Sequence, residues 1–252
     1  MDWLVRHLPW GLLALMTLSS VLLGLKALSL RRQGQRCLDD RIAREREVRR
    51  EKEALLLRQW REEATPPAKS YKVILLGASH LVDLAERIPP SWGLRALGGW
   101  TSQDLRRVFP QAVAPFRPRI LGLALGLNDP ASRIDPSQTA QNLRAIAQET
   151  AEWGGRIQLL LPLPAGRRAD PEFLAAHKVA SALKERLQEV ADAKASISTI
   201  DGGAALMDKD GWLKEELTVD GLHLNGEGKD ILWAALEKAI REDLDLDHPM
   251  AH

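Results

Sequence analysis

Residues 72–80 read KVILLGASH, a nearly unbroken apolar run that gives way at once to Gly77, Ala78 and Ser79. A strand with one face in water alternates apolar and polar side chains, whereas a run this uniform suits a parallel strand covered on both faces. Similar runs recur outward from it at 94–97, 120–125, 157–161 and 197–200. Amphipathic segments lie between them at 102–114, 136–153 and 172–193, and a last one covers 227–243. This alternation predicts a three-layer α/β domain whose parallel sheet has about five strands joined by right-handed crossovers.

Ligands of such sheets bind beyond the carboxyl ends of the strands, which singles out the polar residues after each run. Four short blocks qualify: Gly77-Ala78-Ser79-His80, Gly98-Gly99-Trp100-Thr101, Gly126-Leu127-Asn128-Asp129 and, through a longer loop, Asp220-Gly221-Leu222-His223. Together they hold what ester hydrolysis by a serine requires: a nucleophile, a base, a group that orients the base, and donors for the oxyanion. Ser79 is the candidate nucleophile, His223 the base and Asp220 its orienting carboxylate. The N–H groups of Ser79 and Gly99 and the amide of Asn128 are the candidate oxyanion donors. Each also has an ordinary reading, since a serine after a strand is commonly a turn or cap residue and Asp129 beside Asn128 can simply order its loop. His80 is a rival base, although neighbouring side chains rarely reach one another productively. His177 is placed on a helix as a boundary residue, and Trp100 and Trp212 either line a pocket or pack in the core.

These blocks resemble those of the SGNH/GDSL hydrolases over about residues 71–242. Ser79 in ILLGASHL matches the family nucleophile, Gly99 in ALGGWTSQDL the oxyanion glycine, Asn128 in GLNDP the oxyanion asparagine, and Asp220 and His223 in TVDGLHLN the acid-base pair. Gly98 meets the need of a turn as well as Gly99 does, so the choice between them rests on the resemblance. The resemblance implies a flavodoxin-like sheet and an esterase, lipase, thioesterase or carbohydrate deacetylase activity, with neither a metal nor an organic cofactor. Ala78 is a departure, standing where the family usually has Asp. The nucleophile-elbow pattern of α/β-hydrolases is not met, because GASHL lacks its second glycine.

Composition narrows the alternatives. The 252 residues carry a formal charge of +1, unevenly spread: residues 31–63 hold 11 Lys/Arg against 8 Asp/Glu, and residues 64–252 hold 22 against 25. A mildly acidic globular part gives no electrostatic case for nucleic-acid binding. The single cysteine, Cys37, excludes an intrachain disulfide, no zinc-type Cys/His spacing occurs, and no phosphate-cradling glycine pattern follows a strand.

The N-terminal part reads differently. Residues 8–30 are predominantly apolar with Lys26 the one charge, and 23 residues at helical rise are long enough to cross a bilayer. Residues 1–32 are therefore expected to be a retained membrane anchor, 33–68 a charged helical stalk ending in the hinge at Pro66-Pro67, 69–246 the hydrolase domain, and 247–252 a tail. The stalk's apolar residues do not sustain a heptad, so its self-association is weakly signalled. Arginines following the anchor would keep the domain cytoplasmic under the positive-inside rule, whereas the resemblance places it on the extracytoplasmic side, which is the expectation adopted. An envelope-bound esterase acting on lipid or acetylated-glycan esters is the leading function. A non-catalytic tether or glycan-binding protein on a retained hydrolase fold is the alternative.

Overall fold

The computed structural model describes residues 43–65 and 69–245, so the expected anchor, residues 33–42 of the stalk, the prolines of the hinge and the tail lie outside the described residues. Among the described residues no helix is long and apolar enough to cross a membrane. The chain divides between Leu56 and Leu57, and the sheet belongs to the unit that begins at Leu57.

Five strands form that sheet: β1 (Val73–Gly77), β2 (Gly93–Ala96), β3 (Ile120–Ala124), β4 (Arg156–Leu160) and β5 (Ile197–Ile200). All pairs are parallel and the order is β2-β1-β3-β4-β5, the flavodoxin-like arrangement. Every strand lies within two residues of its expected position. Along β1 the side chains alternate between faces. Val73 and Leu75 join Ile120, Leu160 and Ile200 in a core shared with Leu232, Leu236 and Ile240 of α8 (Gly226–Asp245). Helices α3 (Ser102–Ala112), α5 (Pro136–Ala151) and α7 (Ala180–Asp192) pack in series on one another, and α5 and α7 also touch β4 and β5. Burial on both faces is the physical reason that the strands read as apolar runs.

Local chemistry marks the helix starts. Thr101 and Asp104 form a reciprocal capping box on α3, Asp135 caps α5 with Pro136 in its first turn, and the Asn225 side chain accepts from Gly228 N at 3.1 Å as α8 begins. Two short helices lie outside the sequence expectation: α2 (Ser79–Asp83) and α4 (Asn128–Ala131) follow β1 and β3 directly, and both are too short for a periodic pattern. The expected segment 172–193 is two helices, α6 (Pro171–His177) and α7. The break follows His177, whose ring stacks on Trp212 with centroids 4.1 Å apart and accepts from Ala165 N at 3.3 Å.

The stalk boundary also differs from the expectation. Helix α1, described over 43–64, is exposed along residues 43–52 as a solvated stalk would be, but its last turns belong to the sheet-bearing unit. Trp60 is only 2% exposed and meets the ring of Trp100 edge-on at 6.2 Å. Glu63 pairs with Arg95 of β2 at 2.7 Å, their side chains being 9% and 3% exposed. The Arg95 guanidinium also donates to Ala112 O and Leu94 O and lies about 5 Å from the rings of Trp60, Tyr71 and Phe116. Burial works to raise the Glu63 pKa, but the hydrogen bond from Lys69 and the charge of Arg95 outweigh it, so the carboxyl lies below its ordinary value.

A buried charge that loses its partner costs about 3–5 kcal/mol. Glu63→Gln is therefore expected to lower the melting temperature measurably at neutral pH, and a fragment starting at Lys69 to be much less stable than one starting at Leu57. Because the folded-state pKa of Glu63 is depressed, its contribution is present above the unfolded value and lost as pH falls through the folded one. The stability gap between wild type and Glu63→Gln should close in acid, as thermal melts across pH will show.

Candidate active site

The strand order reverses between β1 and β3: the chain leaves β1 toward β2 on one side and returns to β3 on the other. Crevices at such switch points are where open α/β sheets bind ligands. Ser79 is the first residue of α2, after β1, and Asn128 the first of α4, after β3. Both line one small cavity with Ala78, His80, Leu125, Leu161, Leu163 and Leu222, among others. Its volume is about 30 Å³, near the share of one liquid water molecule. Ala78 caps α2 through its backbone alone, its carbonyl accepting from Leu81 N and Val82 N at 3.0 and 3.2 Å.

Gly99 has φ +77°, a left-handed conformation that favours glycine, and Gly98 is not among the residues of positive φ. The conformational demand of the turn thus falls on Gly99. A Cβ built on Gly98 would sit 4.0 Å from that of Ser79.

Asn128 donates from Nδ2 to Trp100 O at 2.9 Å, tying the β3 loop to the β2 loop and fixing which end of the amide carries the donors. Asp129, 2% exposed, accepts from Ser102 N at 2.7 Å and Thr139 Oγ1 at 2.6 Å. It orders the loop, as the sequence suggests, by linking it to α3 and α5. Trp100 is core, packed on Trp60. Trp212 lies between His177 and Arg167 and does not line the Ser79 cavity.

The fourth block precedes α8. Asp220 Oδ2 accepts from His223 Nδ1 at 2.7 Å, while its Oδ1 accepts from Leu222 N at 2.8 Å and His223 N at 2.7 Å. A carboxylate can only accept here, so Nδ1 carries the ring proton and the lone pair of His223 lies on Nε2. Partial burial acts to raise the Asp220 pKa, but the His223 ring and then the two N–H donors prevail and bring it down to about 2. Gly221 is required twice over, by its φ of +88° and because a Cβ there would come within 2.4 Å of Ala169 N; its carbonyl accepts from Gly166 N at 2.6 Å. The rings of His80 and His223 are 6.3 Å apart between centroids.

All four blocks are thus built at the carboxyl edge of the sheet, with the Asp220–His223 contact formed and Ser79 and Asn128 sharing a cavity. The residues missed by sequence reasoning are the apolar liners Leu125, Leu161 and Leu163. Leu125 and Leu161 fall in the apolar runs 120–125 and 157–161, one residue past the ends of β3 and β4, and Leu163 follows the second run.

Residues 52–231 match the GDSL-like Lipase/Acylhydrolase family. No curated protein sequence matches the chain. Among solved structures, a Streptococcus pneumonia protein is 22% identical with a TM-score of 0.69, covering 77% of this chain and 95% of its own. A GDSL-like lipase from Bacteroides thetaiotaomicron is 22% identical, with a TM-score of 0.65 over 74% of this chain and 97% of that one. An acetylxylan esterase from Geobacillus stearothermophilus is 19% identical, with a TM-score of 0.52 over 67% and 93%. At these identities the structures attest the fold, while the family match extends over most of the chain and takes in every candidate site residue. The chain belongs to the GDSL-like lipase/acylhydrolase family and is an ester hydrolase.

Proposed function

We propose that Ser79 is the nucleophile of an esterase for short acyl groups. The observation that carries this reading is the hydrogen bond from His223 Nδ1 to Asp220, which leaves Nε2 as a base on the loop whose Leu222 lines the same cavity as Ser79. Nε2 of His223 takes the Ser79 hydroxyl proton as Oγ attacks the ester carbonyl. The tetrahedral intermediate places its negative oxygen toward the N–H groups of Ser79 and Gly99 and the second N–H of the Asn128 amide. Collapse expels the alcohol, which receives the proton from His223. Water then enters by the same route, deacylating Ser79 and releasing the acid. Asp220 holds the imidazole tautomer and stabilises its cation without taking the proton.

Ser79→Ala is expected to abolish turnover of small esters with the melting temperature unchanged. Asn128→Ala should lower kcat by about 10²–10³ with little change in KM, as loss of an oxyanion donor does. Steady-state kinetics beside thermal melts will test both, and folded Ser79→Ala protein with wild-type turnover would end the reading.

The cavity beside Ser79 sets the acyl preference. Beside Ser79, His80 and Asn128 its walls are mostly leucine and alanine and its volume is small, so acetyl esters fit and longer chains must displace packed side chains. Overpacking of that kind costs about 1–3 kcal/mol, or about 5- to 150-fold in rate. Along a series of 4-nitrophenyl esters, kcat/KM should fall at least about 5-fold from acetyl to octanoyl. Equal or greater efficiency on octanoyl would assign the enzyme to longer acyl chains.

The same reading includes the membrane. An apolar stretch over 8–30 supports anchoring, and the resemblance to anchored hydrolases supports a domain outside the cytoplasm, where lipids and acetylated glycans are at hand. Cys37, the one cysteine, follows the stretch closely. In intact cells a membrane-impermeant maleimide is expected to label Cys37, and labelling only after permeabilisation would put the domain on the cytoplasmic side.

A further inference from the structure

His80 is left over by the mechanism above, yet it is half-buried in the site. Its Nε2 lies 3.1 Å from Leu222 O. A carbonyl can only accept, so Nε2 carries the proton and donates, and the ring is the neutral Nε2–H tautomer. Burial, acting against the carbonyl contact, holds its pKa below the ordinary histidine value. An imidazole whose Nε2 is committed to a backbone carbonyl in this way does not offer that nitrogen to Ser79 as a base.

What the contact does hold is informative. Leu222 O belongs to the peptide unit whose nitrogen is that of His223. The N–H side of this unit is bound by Asp220 at 2.7 Å, and the carbonyl side by His80 at 3.1 Å. Further anchors of the loop come from other elements. Thr218 Oγ1 accepts from Gly221 N and donates to His223 O, and Gly166 N donates to Gly221 O. None of these touches the turn that carries Ser79. His80 is the next residue after Ser79 and shares its short helix.

We propose that His80 is a positioning residue: by donating to Leu222 O it locks the Leu222–His223 peptide to the nucleophile turn and so sets the distance between the His223 ring and Ser79. The proposal rests on the reading of Ser79 and His223 as nucleophile and base. Proton transfer between two side chains on separate loops depends on their spacing, and a displacement of about 1 Å in such a pair can cost about 10²-fold in rate.

The test compares full-length His80→Leu, which fills the volume without a donor, with His80→Gln, whose amide nitrogen falls near the imidazole Nε2, and with Ser79→Ala. Kinetics on an acetyl ester and fluorophosphonate labelling rates are read beside melting temperatures. The expected result for His80→Leu is a fall in kcat of about 10–10²-fold and a matching fall in labelling, with KM and melting temperature near wild type. His80→Gln should recover most of that loss. Wild-type kcat in His80→Leu would overturn the proposal while Ser79→Ala, still inactive, upholds the nucleophile. Equal loss in Gln and Leu variants would also overturn it, because the imidazole itself would then be needed. Turnover persisting in Ser79→Ala would overturn both readings. Nitrogen NMR of the wild type gives a measure independent of any variant: the proposal requires a proton on Nε2 of His80 at neutral pH, and the Nδ1–H tautomer, with Nε2 bare, would contradict it.

Discussion

Strands β1 and β3 lie side by side with glycine at two points where a side chain would crowd its neighbours. Leu75 of β1 is in register with Gly122 of β3, and a Cβ at Gly122 would fall 2.4 Å from Leu75 Cδ2. Two residues further along β1, a Cβ at Gly77 would meet Leu81 and Ala124 within 3 Å. This pairing brings the ends of two strands far apart in sequence to one edge and creates the switch point. Ser79 and Asn128 share a cavity because β1 and β3 are neighbours, and no local property of either loop would bring that about.

The remaining blocks are held to that edge by hydrogen bonds rather than by the sheet. Asp220 gathers three donors from two consecutive residues, so one carboxylate shapes the loop, fixes the imidazole tautomer and supplies the negative charge beside it. Asn128 reaches Trp100 O, and Asp129 reaches Ser102 N and Thr139, stitching the β3 loop to the β2 loop and to α3 and α5. A buried carboxylate with two well-placed donors is a strong constraint, since removing either donor leaves charge unpaired at a cost of about 1–3 kcal/mol or more. Rigidity of this sort is what keeps an oxyanion site organised before the charge arrives.

The contribution of the helix before the hinge has the same character. Arg95 places a guanidinium at the sheet's β2 edge among three aromatic rings, and Glu63 neutralises it from outside the strand-and-helix alternation. A cation there would be costly without a carboxylate partner, so the last turns of α1 are part of the domain's fold. Trp60 packing on Trp100 extends that support to the segment that follows Gly99.

Much of this was legible in the residues alone. The five strands were, because strands covered on both faces have to be apolar throughout. The positions of the four blocks were, because polar residues directly after buried parallel strands fall at the carboxyl edge of the sheet. The tautomer of His223 was nearly so, since Asp220 is three residues away on one tight loop. Tertiary structure alone decided the rest, which depends on residues distant in the chain. Gly99 rather than Gly98 bears the positive φ. Leu125 and Leu161, which read as strand, line a cavity beside Ser79 together with Leu163. His80, a rival base by sequence, donates to a carbonyl 142 residues away. Glu63, one more charge in a charged helix by sequence, is buried against Arg95, because an ion pair's worth depends on what surrounds it and a charge pattern along one helix carries no record of the strand that helix will meet.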